Sequence, residues 1–157
     1  MMKQRVLTGL MLAAVMLTLL FLVFAVPSIG DIFALLVGRS VGGPKLCPAV
    51  SPNKTISGAI GGLLGSLIAA LLVGLIAWIF AVQSRAVLPA WWHYVLLGLI
   101  GGAVGQLGDL FASLIKRHCG LKDFSNLFPG HGGMLDRLDS VIFMAVIIFC
   151  YRMLMVF

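Results

Sequence analysis

The sequence predicts an all-α protein, a polytopic transmembrane bundle of four to five membrane segments with one polar site facing the cytoplasm. Three observations carry that expectation. Of 157 residues, 61% are hydrophobic and only 10% charged, where a soluble domain carries about 25% charged residues. The apolar residues gather into long runs, and about 20 of them in a row are what a ~30 Å hydrocarbon core requires. The acidic residues are concentrated: all five are aspartates, and four of them (Asp109, Asp123, Asp136, Asp139) fall within residues 108–140.

Residues 6–26 form a nearly unbroken apolar run behind Lys3 and Arg5. The run exceeds the ~7–15 residues of a signal-peptide core and lacks a small-x-small cleavage site, so a retained span is expected. Residues 29–41 are apolar except for Asp31, Arg39 and Ser40, too short a stretch at ~1.5 Å per residue to cross alone. They continue the first helix past a kink at Pro27, or they form a re-entrant piece. Residues 42–55, GGPKLCPAVSPNKT, hold three prolines and two lysines and read as a polar loop.

Residues 56–82 carry no charge, and Gly58, Gly61, Gly62, Gly65 and Ser66 place small residues four apart. That pattern lets a second helix backbone approach closely, so packing is its expected use. Residues 83–90 read as a turn, followed by an interfacial aromatic belt of Trp91, Trp92, His93 and Tyr94. Residues 95–115 give a third long span, again with small residues four apart (Gly98 and Gly102; Gly101 and Gly105), and residues 141–157 a last one interrupted only by Arg152. One membrane domain is expected, with residues 1–28 as an N-terminal span and 29–157 as the core.

The net charge of +6 comes from 11 basic residues against five acids. The segment with Arg39, Lys45 and Lys54 and the segment with Lys116, Arg117, Lys122 and Arg137 are joined by two spans and share a side. Short basic loops favour the cytoplasm, beside anionic lipid. The basic residues are scattered between spans and form no soluble basic domain, so the bilayer rather than nucleic acid is the expected partner. Cys47, Cys119 and Cys150 have no CxxC spacing, and neither a disulfide framework nor a zinc site follows.

Chemistry is expected in residues 108–140. On a helix, Asp109, Ser113, Lys116 and Arg117 stand at i, i+4, i+7 and i+8 and line one wall. Asp136, Asp139 and Ser140, at the start of the last helix, give a second acidic wall. Between them Pro129-Gly130-His131-Gly132-Gly133 is a turn whose backbone N–H groups can meet an anion. Facing carboxylates repel unless cations stand between them, and oxygen ligands with phosphate favour magnesium. Lys116, Arg117, Lys122 and Arg137 would hold the remaining phosphate charge. The set suits phosphoryl or nucleotidyl transfer. A solvated charged loop is the plain alternative, and it leaves the gathering of four acids, the glycine-histidine turn and two serines at one membrane face without a cause.

The same residues resemble a known family. Ser113-Leu114-Ile115-Lys116-Arg117, Lys122-Asp123 and the run from Pro129 through Gly130-His131-Gly132-Gly133 to Asp136-Arg137-Leu138-Asp139-Ser140 look like the signature of the phosphatidate cytidylyltransferases, or CDP-diacylglycerol synthases. Asp31, Gly38-Arg39, Lys45 and Ser51-Pro52-Asn53-Lys54-Thr55 are similar to a second conserved region of that family, so the resemblance covers about residues 30–140. It implies transfer of CMP from CTP to phosphatidic acid with magnesium, and potassium as a further cation. It also implies Asp109 and Asp136 as first metal ligands with Asp139 and Asp123 behind them. Lys116, Arg117, Lys122 and Arg137 would then bind the triphosphate, and the turn around His131 would approach it through backbone. Ser51, Lys54, Thr55 and Asp31 would complete the pocket. The family resemblance further suggests a homodimer, and a chain shortened on its N-terminal side, since one span precedes the matching region where the family has several. Two other readings stand beside it: an enzyme for an ether-linked lipid phosphate, as in the CDP-archaeol synthases, and a silent shortened scaffold.

Overall fold

The computed structural model describes residues 2–84, 89–121 and 135–156. Four helices follow in chain order: α1 (Met2–Val41), α2 (Ile56–Ser84), α3 (Trp91–His118) and α4 (Leu135–Val156). A short hairpin of β1 (Lys45–Cys47) and β2 (Ser51–Thr55) stands between α1 and α2. Each helix contains a stretch long and apolar enough to cross a membrane. Large apolar residues such as Leu10, Ile60, Phe149 and Leu154 point outward, as they do on a helix whose solvent is hydrocarbon.

Of the two readings of residues 29–41, continuation of the first helix is the one seen: α1 runs 40 residues with Pro27 inside it. The reason is continuous packing on both sides of the proline. Leu22, Val26, Gly30, Ala34 and Gly38 recur at four-residue steps; the first two are fully buried and the other three lie against Ser66, Gly62 and Gly58 of α2. The Ser66 hydroxyl also donates to the Val26 carbonyl at 3.2 Å, a bond from α2 to α1 beside the proline.

The small-residue faces are packing surfaces, as expected. A Cβ on Gly58 would stand 2.8 Å from the Ala34 carbonyl oxygen, while Gly61 receives Val37 and Gly65 receives Phe33. On α3, Gly98 and Gly102 face Leu67 and Ser66 of α2, and Gly101, Gly105 and Gly108 face Met144, Ser140 and Phe143 of α4. α3 is therefore gripped on two sides, and the core lies where Leu22, Val26, Ala70, Leu97, Met144 and Ile148 meet.

The expected polar loop of residues 42–55 carries an antiparallel hairpin instead, with Lys45 opposite Thr55 and Cys47 opposite Ser51. Two strands alone are marginal in water, and both ends of this pair are fastened. Gly42 and Gly43 hold φ of +64° and +110°, a region glycine enters without steric cost, and so turn the chain out of α1. The Ile56 N–H donates to the Pro44 carbonyl at 3.0 Å, and Thr55 Oγ1 accepts the Gly58 N–H at 3.1 Å, capping α2 as threonine does at a helix start. At the other end of the bundle α3 begins on Trp91, so the aromatic belt is its first turn.

α3 closes with a Schellman motif. The Leu121 N–H reaches the Lys116 carbonyl at 2.8 Å and the Gly120 N–H reaches that of Arg117 at 3.1 Å, with Gly120 at φ +68°. Lys116, Arg117 and His118 fill the last turn, where positive charge complements the helix dipole. The end of α1, the hairpin, the start of α2 and the end of α3 thus gather at one end of the bundle.

Candidate active site

At that end α1, the hairpin, α2 and α3 enclose a cavity of about 750 Å³, within the ~300–1,000 Å³ usual for small-molecule sites. Helical spacing places Asp31 and Arg39 on its α1 wall, and the hairpin brings Lys45, Ser51, Asn53 and Lys54 over it. Gln106 and Asp109, three residues apart on α3, form the opposite wall. Arg39, Lys45 and Lys54 stand against Asp31 and Asp109, three cations to two carboxylates, so the cavity favours an anion.

The centre of the site is an ion pair between Lys54 Nζ and the Asp109 carboxylate, whose side chains are 29% and 28% exposed. That exposure matters: a pair open to water can exchange partners, whereas a sealed one cannot do so without a large desolvation cost. Asp31 lies within electrostatic reach of both members of the pair. Asp139, buried on α4, feels the charge of Asp109 and of Lys116. Its Oδ1 accepts the Ser140 N–H at 2.6 Å and the Ser140 hydroxyl at 3.2 Å, which fixes the carboxylate's orientation.

Several residues singled out in the sequence have other work here. Thr55 lines the cavity, but its hydroxyl caps α2. Arg117 Nε donates to the Val50 carbonyl at 3.5 Å, tying the end of α3 to the tip of the hairpin. Ser113 is half-buried one turn beyond Asp109 and is not among the residues lining the cavity. Asp136 and Arg137 fall in the first turn of α4, and their side chains lie outside what is described; Lys122, Asp123, His131, Gly132 and Gly133 lie outside the described residues altogether. Sequence reasoning passed over Gln106, whose Nε2 donates to the Ala59 carbonyl at 3.1 Å. The signal was there: a lone amide in an apolar helix, one turn before Asp109.

Among the described residues no three acidic, histidine or cysteine side chains form a ready metal cage. Magnesium needs less, one or two carboxylates plus phosphate oxygens and water. Asp109 and Asp31, the two carboxylates lining this cavity, are oxygen donors of that kind.

Fold and site define a polytopic membrane protein with an anion-accepting, carboxylate-bearing cavity at one end of its bundle. Residues 3–155 match the model of a cytidylyltransferase family. The chain is 43% identical over 134 residues to a phosphatidate cytidylyltransferase of Brucella abortus biovar 1 (strain 9-941), covering 85% of this chain and 46% of that protein. It is 42% identical over 127 residues to that of Bacillus subtilis (strain 168), covering 81% and 44%. With that of Rickettsia bellii (strain RML369-C) it shares 39% over 131 residues, covering 83% and 56%. The chain belongs to the cytidylyltransferase family, and it spans about half the length of these relatives.

Proposed function

We propose that this chain carries the nucleotidyl-transfer site of a CTP:phosphatidate cytidylyltransferase, with the cavity open to the cytoplasm. The observation that carries the reading is the exchangeable Lys54–Asp109 pair on the wall of a cationic cavity. A phosphate oxygen of phosphatidic acid forms a bond to the α-phosphorus of CTP, the α–β anhydride bond breaks, and pyrophosphate leaves. The lipid phosphate is already an anion, so no protein nucleophile is needed. Magnesium, when bound, neutralises charge developing on the phosphates and orients them; Asp109 and Asp136 would hold it, with Asp139 and Asp123 as second candidates and potassium as a further cation.

The chain's own residues do the rest by charge and position. When a triphosphate arrives, Lys54 exchanges the Asp109 carboxylate for a phosphate oxygen, a swap that keeps both charges paired. Arg39 and Lys45 add positive charge on the cavity wall, and Lys116, Arg117, Lys122 and Arg137 are the further cations that the family resemblance implies for the triphosphate. Asn53 and Ser51 offer neutral hydrogen-bonding groups suited to a ribose or base. Incubating the purified chain with CTP, magnesium and a panel of phosphatidic acid and an ether-linked archaeal-type lipid phosphate tests the assignment. Pyrophosphate release with phosphatidic acid is expected; turnover only with the ether lipid would move the chain to the archaeol-type reaction, and none with either would leave it a scaffold.

A further inference from the structure

A second polar constellation stands at the opposite end of the bundle, where α1, the start of α3 and the end of α4 converge on a small cavity of about 30 Å³. Tyr94 lines it and is only 3% exposed, yet its hydroxyl is buried with no hydrogen-bond partner among the described residues. Burying an unsatisfied hydroxyl is costly, and such a group calls for an occupant that completes it. Beside it His93 Nδ1 and the Tyr151 hydroxyl lie 2.9 Å apart, and the Trp92 ring stacks on His93 with centroids 3.5 Å apart, so the imidazole is held in place. Arg152 also lines the cavity and is exposed. No described carboxylate pairs with it; Asp31, Asp109 and Asp139 all belong to the other end. Among the described residues no side chain caps the start of α3 at Ala90, and a helix N-terminus favours an anion.

We infer that this constellation binds the phosphate of an anionic phospholipid in the leaflet opposite the catalytic cavity. Arg152 supplies the charge, the Tyr94 hydroxyl gains the acceptor it lacks, and the His93–Tyr151 pair supplies a further polar contact. The room fits about two water-sized groups, enough for phosphate oxygens and too little for a nucleotide. A lipid is chosen over a soluble anion because the cavity is otherwise walled by apolar side chains such as Leu19, Leu22 and Leu97. The adjoining surface is apolar too, with Phe149, Leu154 and Leu20 all more than half exposed. The lipid's tail therefore lies along a surface that hydrocarbon already covers.

The test uses the full chain in phosphatidylcholine nanodiscs and leaves turnover aside, so its failure would not bear on the proposed reaction. The protein has three tryptophans; in a Trp78→Phe background Trp91 and Trp92 report on this end. Brominated phosphatidylglycerol is expected to quench them with a roughly fivefold preference over brominated phosphatidylcholine, the effect of about one basic contact with an anionic lipid. R152Q should bring that preference close to one. Y94F removes no charge and should still lower it about twofold, an outcome that general surface attraction would not produce. Equal quenching by the two lipids, or a preference unmoved by both R152Q and Y94F, would overturn the inference. So would displacement of the lipid by millimolar inorganic phosphate, which would mark a soluble-anion site.

Discussion

At the scale of single residues the site turns on Lys54 and Asp109, which come from positions 55 apart. Both were legible as functional candidates, because a lysine in a proline-rich loop and an aspartate at the end of an apolar span are anomalies of charge. Their partnership was not. Nothing in a periodic pattern says that β2 returns over the last turns of α3, and the sequence associated Asp109 with its helical neighbours Lys116 and Arg117 instead. In the structure Arg117 faces the hairpin tip and Lys116 stands near Asp139. Since the Lys54–Asp109 pair is only partly exposed, its coupling should fall between that of a surface pair and that of a buried one, about 1–2 kcal/mol. A double-mutant cycle of Lys54→Met and Asp109→Asn, read by unfolding in detergent, checks this; a coupling indistinguishable from zero would mean the pair does not hold the hairpin. Asp31, read from the sequence as a pocket residue, lines the same cavity. Gln106 was missed because an amide carries no charge anomaly.

At the scale of elements, four-residue spacing of small side chains was the most readable signal, and it correctly gave the α1–α2 and α2–α3 contacts their packing role. Its energetic content can be tested by contrast. Gly58→Ala drives a Cβ into the Ala34 carbonyl of a neighbouring helix, and overpacking of this sort costs about 1–3 kcal/mol. Gly9 on the same protein has nothing within 4 Å of an added Cβ, so Gly9→Ala should be neutral or stabilise by up to about 1 kcal/mol through helix propensity. Equal effects of the two substitutions in a denaturant titration would remove the close-packing account. Proline misled in one place of two. At Pro27 the sequence left a kinked continuation of the first helix beside a re-entrant piece, and packing on α2 goes with the continuation. The three prolines of residues 42–55 read as a polar loop, where a hairpin stands. A two-stranded pair has only outer edges, where Pro52 is tolerated. Gly120, by contrast, is a stop signal the sequence does show: basic residues in the last turn, then glycine at the position where α3 needs a left-handed φ.

At the scale of the whole molecule, composition alone carried the class, and the continuity of α1 leads to a prediction about sidedness. With α1 as a single helix, Arg5 and Arg39 stand at opposite ends of it, which predicts that the basic N-terminal segment and the hairpin face opposite sides. A membrane-impermeant thiol reagent should label the exposed Cys119 from one side of sealed vesicles and an Arg5→Cys variant from the other; labelling of both from the same side would require α1 to turn back within the membrane. The end that carries Cys119 is also the end at which the hairpin, Asp31, Asp109 and Asp139 converge, and the proposed reaction depends on that convergence. Its most direct test is pyrophosphate release by the purified chain supplied with CTP, magnesium and phosphatidic acid, run beside Asp109→Ala. Release is expected from the unaltered chain, to cease when magnesium is chelated and return when it is restored, and to be absent in Asp109→Ala although the variant remains folded. Undiminished release from folded Asp109→Ala would contradict the assignment of this cavity as the site of transfer.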